Sequence, residues 1–260
     1  MTSSVQRDAW EPLRRFTSAR IALGHAGVSL PTSELLAFRE AHAMARDAVH
    51  QPLDAAALER GLQGAAAIHV QSRAADRQAF LQRPDLGRRL DEASIERVRA
   101  SQCAACDAVF VMADGLSAAA VEHNAPAVWW LAQQTLVQAG WRIGPVVIAQ
   151  QARVALGDEI GALLRCDLVV VLIGERPGLS APRSLGAYLT WAPQPGCRDA
   201  QRNCVSNIHP DGGLSAEQAA HRVVWLMQRS RALRMSGVEL KDRSEEAPLL
   251  VGPRRGALPG

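Results

Sequence analysis

Three stretches of the sequence predict an α/β fold: "DAVFVMADGLS" (107–117), "GPVVIAQQARV" (144–154) and "DLVVVLIGERPG" (167–178). Each is short, apolar and rich in β-branched residues, as strands buried on both faces require. Helical stretches separate them, so a parallel sheet covered by helices is expected, Rossmann-like in arrangement. Residues 1–100 predict a smaller, mainly helical N-terminal domain, residues 101–242 the α/β domain, and residues 243–260 a disordered tail.

The elements follow in chain order. "PTSELLAFREAHAMARDAVH" (31–50) sets Leu35, Phe38, His42, Ala45 and Val49 on one stripe at steps of three or four, the period of an amphipathic helix. Pro31 and Glu34 suit its first turn. "DAAALERGLQGAAAIHVQSRAADRQAFLQ" (54–82) is rich in alanine and leucine and predicts helix, with Gly61 and Gly64 weakening it. "RPDLGRRLDEASIERVRA" (83–100) turns at Pro84–Gly87 and enters another helix. After the first strand, "PAVWWLAQQTLVQAG" predicts a helix from Pro126 to Gly140. "GDEIGALLRC" predicts a short one with its carboxylates in the first turn. "SAEQAAHRVVWLMQRSRALRMSG" opens with Ser215 and Gln218 in capping-box spacing and buries Ala220, Val223, Val224 and Met227.

Composition narrows the function. The chain has 260 residues, 48% apolar and 21% charged, with a net charge of +3, too small to argue for a polyanionic partner. Lys241 is the sole lysine, and bunched arginines such as Arg88–Arg89 or Arg229, Arg231 and Arg234 predict solvated helix faces. No apolar run approaches the roughly 20 residues that cross a bilayer, and the start lacks a secretory layout, so a cytosolic protein is expected. Five cysteines, an odd number, argue against a disulfide framework. Cys103 and Cys106 form a single C-x-x-C without the second knuckle a structural zinc needs, and the histidines share no ligand spacing, so no metal site is predicted.

Ligands of open α/β sheets bind at the carboxyl ends of the strands. Three loops occupy such ends: "ADGLS", "AQQARV" and "GERPGLS". A fourth, "CRDAQRNCVSNIHPDGG" (197–213), is expected to close over the same edge. There is no G-x-G-x-x-G, no G-x-x-x-x-G-K-[ST] and no G-x-S-x-G, so neither a phosphate cradle nor a nucleophile elbow is present. Ser180 and Ser184 have no histidine in a partner position, no paired carboxylates stand in an acid/base arrangement, and Glu175 with Arg176 reads equally as a surface ion pair. The residues predict a binding surface and no catalytic residue.

Several long motifs in order, "TSARIALGHAG", "RPDLGRRL", "ADGLS", "RCDLVVVLIGERPGLSAPRSLGAYLTWAP" and "RNCVSNIHPDGGLSAEQAA", together resemble the small (light) subunit of ethanolamine ammonia-lyase, from about Phe16 to Asp242. The resemblance implies an adenosylcobalamin-dependent lyase that converts ethanolamine to acetaldehyde and ammonia. It implies a large-subunit partner, a TIM barrel holding substrate and catalytic residues, in an assembly with six copies of each chain. It implies that the small subunit covers the cobalamin at the interface and has no activity alone. The cobalamin keeps its own base on cobalt, consistent with the lack of D-x-H-x-x-G here. Three cofactor contacts carry over by position: Val154 after the second strand, Glu175 of "GERPGL", and Cys204 before "SNIH". Structural roles compete for each: core for Val154, an inert thiol for Cys204, a turn residue for Glu175.

A corrin rim bears amides that a strand-end carboxylate accepts from. Gly174 and Gly178 are expected to let backbone approach the ring, with Pro177 stiffening the turn. Some members of the family carry an N-terminal extension that directs them into a bacterial microcompartment; the resemblance starts too near the N-terminus here, so free cytosol is expected. A stand-alone α/β enzyme acting on a small metabolite, and a non-catalytic scaffold, are the alternatives.

Overall fold

A computed structural model describes residues 5–101 and 106–247. Cys103, and with it the C-x-x-C pair, and the tail from residue 248 lie outside the described residues. Six strands form one sheet: β1 (Ala67–Gln71), β2 (Ala108–Ala113), β3 (Val146–Gln150), β4 (Leu168–Gly174), β5 (Leu185–Trp191) and β6 (Arg202–Ile208). Their spatial order is β1-β3-β2-β4-β5-β6. The first four run parallel, and β5 and β6 add antiparallel. The α/β class is as predicted, but the sheet is mixed where a parallel one is expected.

Two further differences concern where strands arise. The stretch 54–82, predicted helical throughout, holds only α2 (Ala55–Arg60) and α3 (Arg77–Gln82), with β1 between them. The strand Ala67–Gln71 buries Ile68 and Val70 alternately, but five residues following the alanines of 65–67 are too short for that alternation to outweigh the helical composition around them; pairing with β3 decides it. The stretch 197–213, predicted as a closing loop, contains β6.

Helices lie on both faces. On the first, α5 (Ala118–Gln138) and α7 (Ala216–Leu233) bury Trp129, Leu136, Val223 and Met227 against Phe110, Met112, Leu172, Leu189 and Val205. On the second, α4 (Glu92–Ala100) and α6 (Leu156–Leu164) bury Val98, Leu156 and Ile160 against Val109, Val111, Val147, Val169 and Val171. Helix α7 has the predicted capping box, with Gln218 N donating to Ser215 Oγ at 3.2 Å and Gln218 Oε1 accepting from Ser215 N at 3.0 Å. Helix α5 starts two turns before Pro126, on the cap Ser117, and carries the proline inside. Pro126 gives up one backbone hydrogen bond, which the burial of Ala125, Val128 and Trp129 around it outweighs.

Helix α1 (Thr32–His50) forms where predicted, but of its residues only Ala48 is buried. Leu35 and Phe38, on the apolar stripe, stay exposed, as do Trp10 and Phe16 ahead of it. Among the described residues no helix is long and apolar enough to cross a membrane.

Candidate functional site

The carboxyl ends of β2, β3 and β4 meet as the sequence predicts. Asp114, just past β2, is almost fully buried and accepts from the backbone N–H of Gln151 at 2.8 Å and of Ala152 at 2.9 Å. It therefore ties the loop after β2 to the loop after β3. Burial pushes its carboxyl above the usual range, against the pull of those N–H groups and of Arg77 at 3.5 Å. Arg77 also donates to Gly115 O at 2.9 Å.

Gly174 ends β4 for a reason internal to the chain. Its carbonyl accepts from Leu116 N at 2.9 Å, and a Cβ built there would sit 2.1 Å from Ser117 O. The room left by its missing Cβ is taken up by the loop after β2, so the chain's own packing already requires a glycine here. Gly178, whose added Cβ would meet nothing nearer than 3.8 Å, keeps that room.

Glu175 is half-buried and makes no ion pair with Arg176 among the described residues. Its N–H donates to Ser184 O at 2.9 Å. Its Oε2 accepts from Ser184 Oγ at 2.6 Å and from Asn207 N at 3.3 Å, while Oε1 takes no hydrogen bond among the described residues and lies over Gly186. The carboxylate is thus held by one oxygen and offers the other.

Cys204 lies on β6 directly opposite Tyr188 of β5. Along β6, Val205 and Ile208 are buried on the first face, whereas Cys204 and Ser206 are exposed. Protein around the Cys204 thiol pushes its pKa up; the Tyr188 hydroxyl contact pulls it down, and the Glu175 carboxylate pushes it up again. Burial, then Cys204 and Glu175, raise the Tyr188 phenol. Both groups stay protonated at neutral pH, so Cys204 is a poor nucleophile. Glu175, Tyr188 and Cys204 form one cluster on the open part of the second face.

Val154 stands on the loop after β3 and packs, partly buried, on the same second-face core as Tyr188. It also lines a groove of about 620 Å³ beside α6, with Arg88, Arg89, Arg153, Cys197 and Arg198 among its walls. The three residues singled out from the sequence therefore lie on one side of the sheet, two of them joined through Tyr188. Tyr188, Asn207 and Asp114 escaped sequence reasoning, and Ser184 was weighed only as a serine without a histidine partner. The aromatic and apolar run Leu185–Trp191 was the available signal for the first of these.

Residues 7–241 match the ethanolamine ammonia-lyase light chain (EutC) family. A relative from Pseudomonas aeruginosa (strain UCBPP-PA14), named ethanolamine ammonia-lyase small subunit, is 54% identical over 254 residues, covering 95% of this chain and 92% of its own. Relatives of the same name from Azotobacter vinelandii and Ralstonia nicotianae are 50% and 49% identical, covering 95% and 98% of this chain and 93% and 96% of theirs. With motifs, fold and these likenesses in agreement, this chain belongs to the ethanolamine ammonia-lyase light chain family.

Proposed function

We propose that this chain is the cobalamin-covering small subunit of an adenosylcobalamin-dependent lyase that converts ethanolamine to acetaldehyde and ammonia. The observation that carries it is the cluster on the second face: the Glu175 carboxylate, anchored through Oε2, beside half-buried Tyr188 and exposed Cys204. A corrin presents a broad apolar face and a rim of amides. The Tyr188 ring and Val154, with the Glu175 carboxylate as an acceptor, suit that chemistry. This surface is open rather than enclosed, so a second polypeptide must supply the other wall.

The residues present suit distinct tasks. Ser184 and Asn207 fix Oε2 of Glu175, so Oε1 is aimed and can accept from a rim amide. Tyr188 and Val154 offer apolar packing, and Cys204 remains an uncharged neighbour. When bound, the cofactor supplies the radical chemistry, and the protein around it supplies position and exclusion of water. That division accounts for a site without an acid/base pair.

A large-subunit partner, in an assembly with six copies of each chain, completes the enzyme. The exposed Trp10, Phe16, Leu36 and Phe38 support an assembled state, because apolar surface of this kind marks interaction sites. The cytosol is the proposed compartment. The test is reconstitution: the purified chain yields no acetaldehyde from ethanolamine, and adding large subunit with adenosylcobalamin yields it. Turnover by the isolated chain, or full turnover by the large subunit without it, defeats the proposal.

A further inference from the structure

We propose that the groove beside α6 is a phosphate site, with Arg88 and Arg153 as its cationic walls and Arg198 at its rim. Of the four arginines lining it, only Arg89 is matched, by Nε and Nη2 contacts to Glu159 at 3.2 and 3.0 Å. Glu159 is used up by that pair and by Leu90 N at 2.8 Å. The other acid in the wall, Asp199, is 96% exposed and turned to Arg202 at 3.4 Å. Among the described residues, Arg88 and Arg198 have no carboxylate partner.

Arg153 is the more telling case. Its guanidinium stacks over the Phe80 ring at 4.2 Å, and one Nη donates to Phe80 O at 3.2 Å. Its Nε is buried with no hydrogen-bond partner. Burial, and then the nearby charge of Arg88, hold its pKa below the usual arginine value, with Asp114 opposing. Gly87 makes this placement achievable: a Cβ there would come within 2.9 Å of Arg153 Cγ, and Gly87 O accepts from Arg153 N at 2.8 Å. Two like charges held together, with one donor left unmet, are stabilised by an oxyanion between them.

The volume of about 620 Å³ exceeds what one free phosphate fills, and Pro84, Val154, Ala155 and Pro195 give the groove apolar walls. A phosphodiester carried between larger organic groups fits both features. For its source the inference rests on the corrin reading above, because Val154 borders both places: the phosphodiester of the cofactor's nucleotide loop is assigned to this groove. A soluble phosphate ester is the other source of the same chemistry.

The experiment has two arms. In the first, the full chain alone is melted with and without inorganic phosphate at matched ionic strength. The expected result is a rise in Tm that Arg88→Gln abolishes; Arg88 is exposed and has no ion pair among the described residues, so the variant is expected to fold. In the second, affinities of the reconstituted complex for adenosylcobalamin and for adenosylcobinamide, which lacks the phosphodiester, are measured by equilibrium dialysis. Arg88→Gln should weaken adenosylcobalamin about tenfold or more and leave adenosylcobinamide unchanged. A phosphate effect with both corrinoids unaffected overturns the cofactor as the source and leaves a soluble ester. No phosphate effect, with both corrinoids affected equally or not at all, overturns the site. Glu175→Ala without effect on either corrinoid would sink the corrin reading separately, and the phosphate arm would still decide the groove.

Discussion

Arg202 of β6 donates through both Nη atoms to Asp158 of α6, at 2.5 and 2.7 Å, in the interior of the protein. The same guanidinium donates to Thr190 Oγ1 and to Cys197 O, each at 2.9 Å. One side chain thus clamps β5, β6, their connection and the first turn of α6. Cys204 stands two residues further along β6, so this clamp fixes the edge of the candidate cofactor shelf.

Breaking one side of that pair leaves the other charge buried and alone. Arg202→Met should therefore destabilise the chain by about 3–5 kcal/mol. Arg202→Met combined with Asp158→Leu should be less destabilising than Arg202→Met alone, because no orphan charge remains. Urea unfolding of the two variants checks the order; a double variant worse than the single would show the clamp acts through packing.

Asp107, at the foot of β2, accepts from Arg142 N at 2.9 Å and from its guanidinium at 3.2 and 2.7 Å. Burial raises its carboxyl, but these donors win, and its pKa falls below the ordinary 3.8. A depressed folded pKa gives stability that is present above the unfolded value and disappears as pH falls through the folded one. Asp107→Asn should lower the melting temperature at neutral pH and match the parent at strongly acid pH. The Arg142 side chain is 67% exposed and screened, so the loss is at most about 1 kcal/mol.

Gly174 and Gly178 differ sharply in the room they have. Gly174→Ala drives a methyl into Ser117 O and the loop after β2, which should cost about 1–3 kcal/mol and shift the Glu175 turn. Gly178→Ala should be tolerated. Thermal melts distinguish them, and equal melting temperatures would contradict the tight approach described above.

Glu175→Ala removes the free Oε1 along with the anchored Oε2. In the reconstituted complex it should weaken adenosylcobalamin by about 1–3 kcal/mol. Ser184→Ala, which only frees the carboxylate to rotate, should produce a smaller loss in the same direction. Spectrophotometric titration of the complex measures both, and an unaltered Glu175→Ala affinity removes this residue from the cofactor surface.

What could be read from the chain alone is specific. β2, β3 and β4 announced themselves as continuous apolar runs; α7 did so by its Ser215–Gln218 box, and α4 by its turn at Pro84–Gly87. These are local patterns, and local physics produces them. The motifs around Glu175 and Cys204 were legible for the same reason, being written in consecutive residues.

The rest depended on partners far along the chain. β1 is a five-residue strand inside an alanine-rich, helix-like stretch and finds its partner in β3, nearly eighty residues later. β6, RNCVSNI, has no regular alternation and looked like a loop until β5 offered it an edge. The glycine at 174 is required by the backbone of Ser117 and Asp114, which crowd the place a side chain would take. The pairing of Arg202 with Asp158 spans forty-four residues. The sequence alone determined which segments are apolar and where they turn. Only the tertiary structure decided which groups are left open at the surface, since strand pairing and burial depend on contacts between residues distant in the chain.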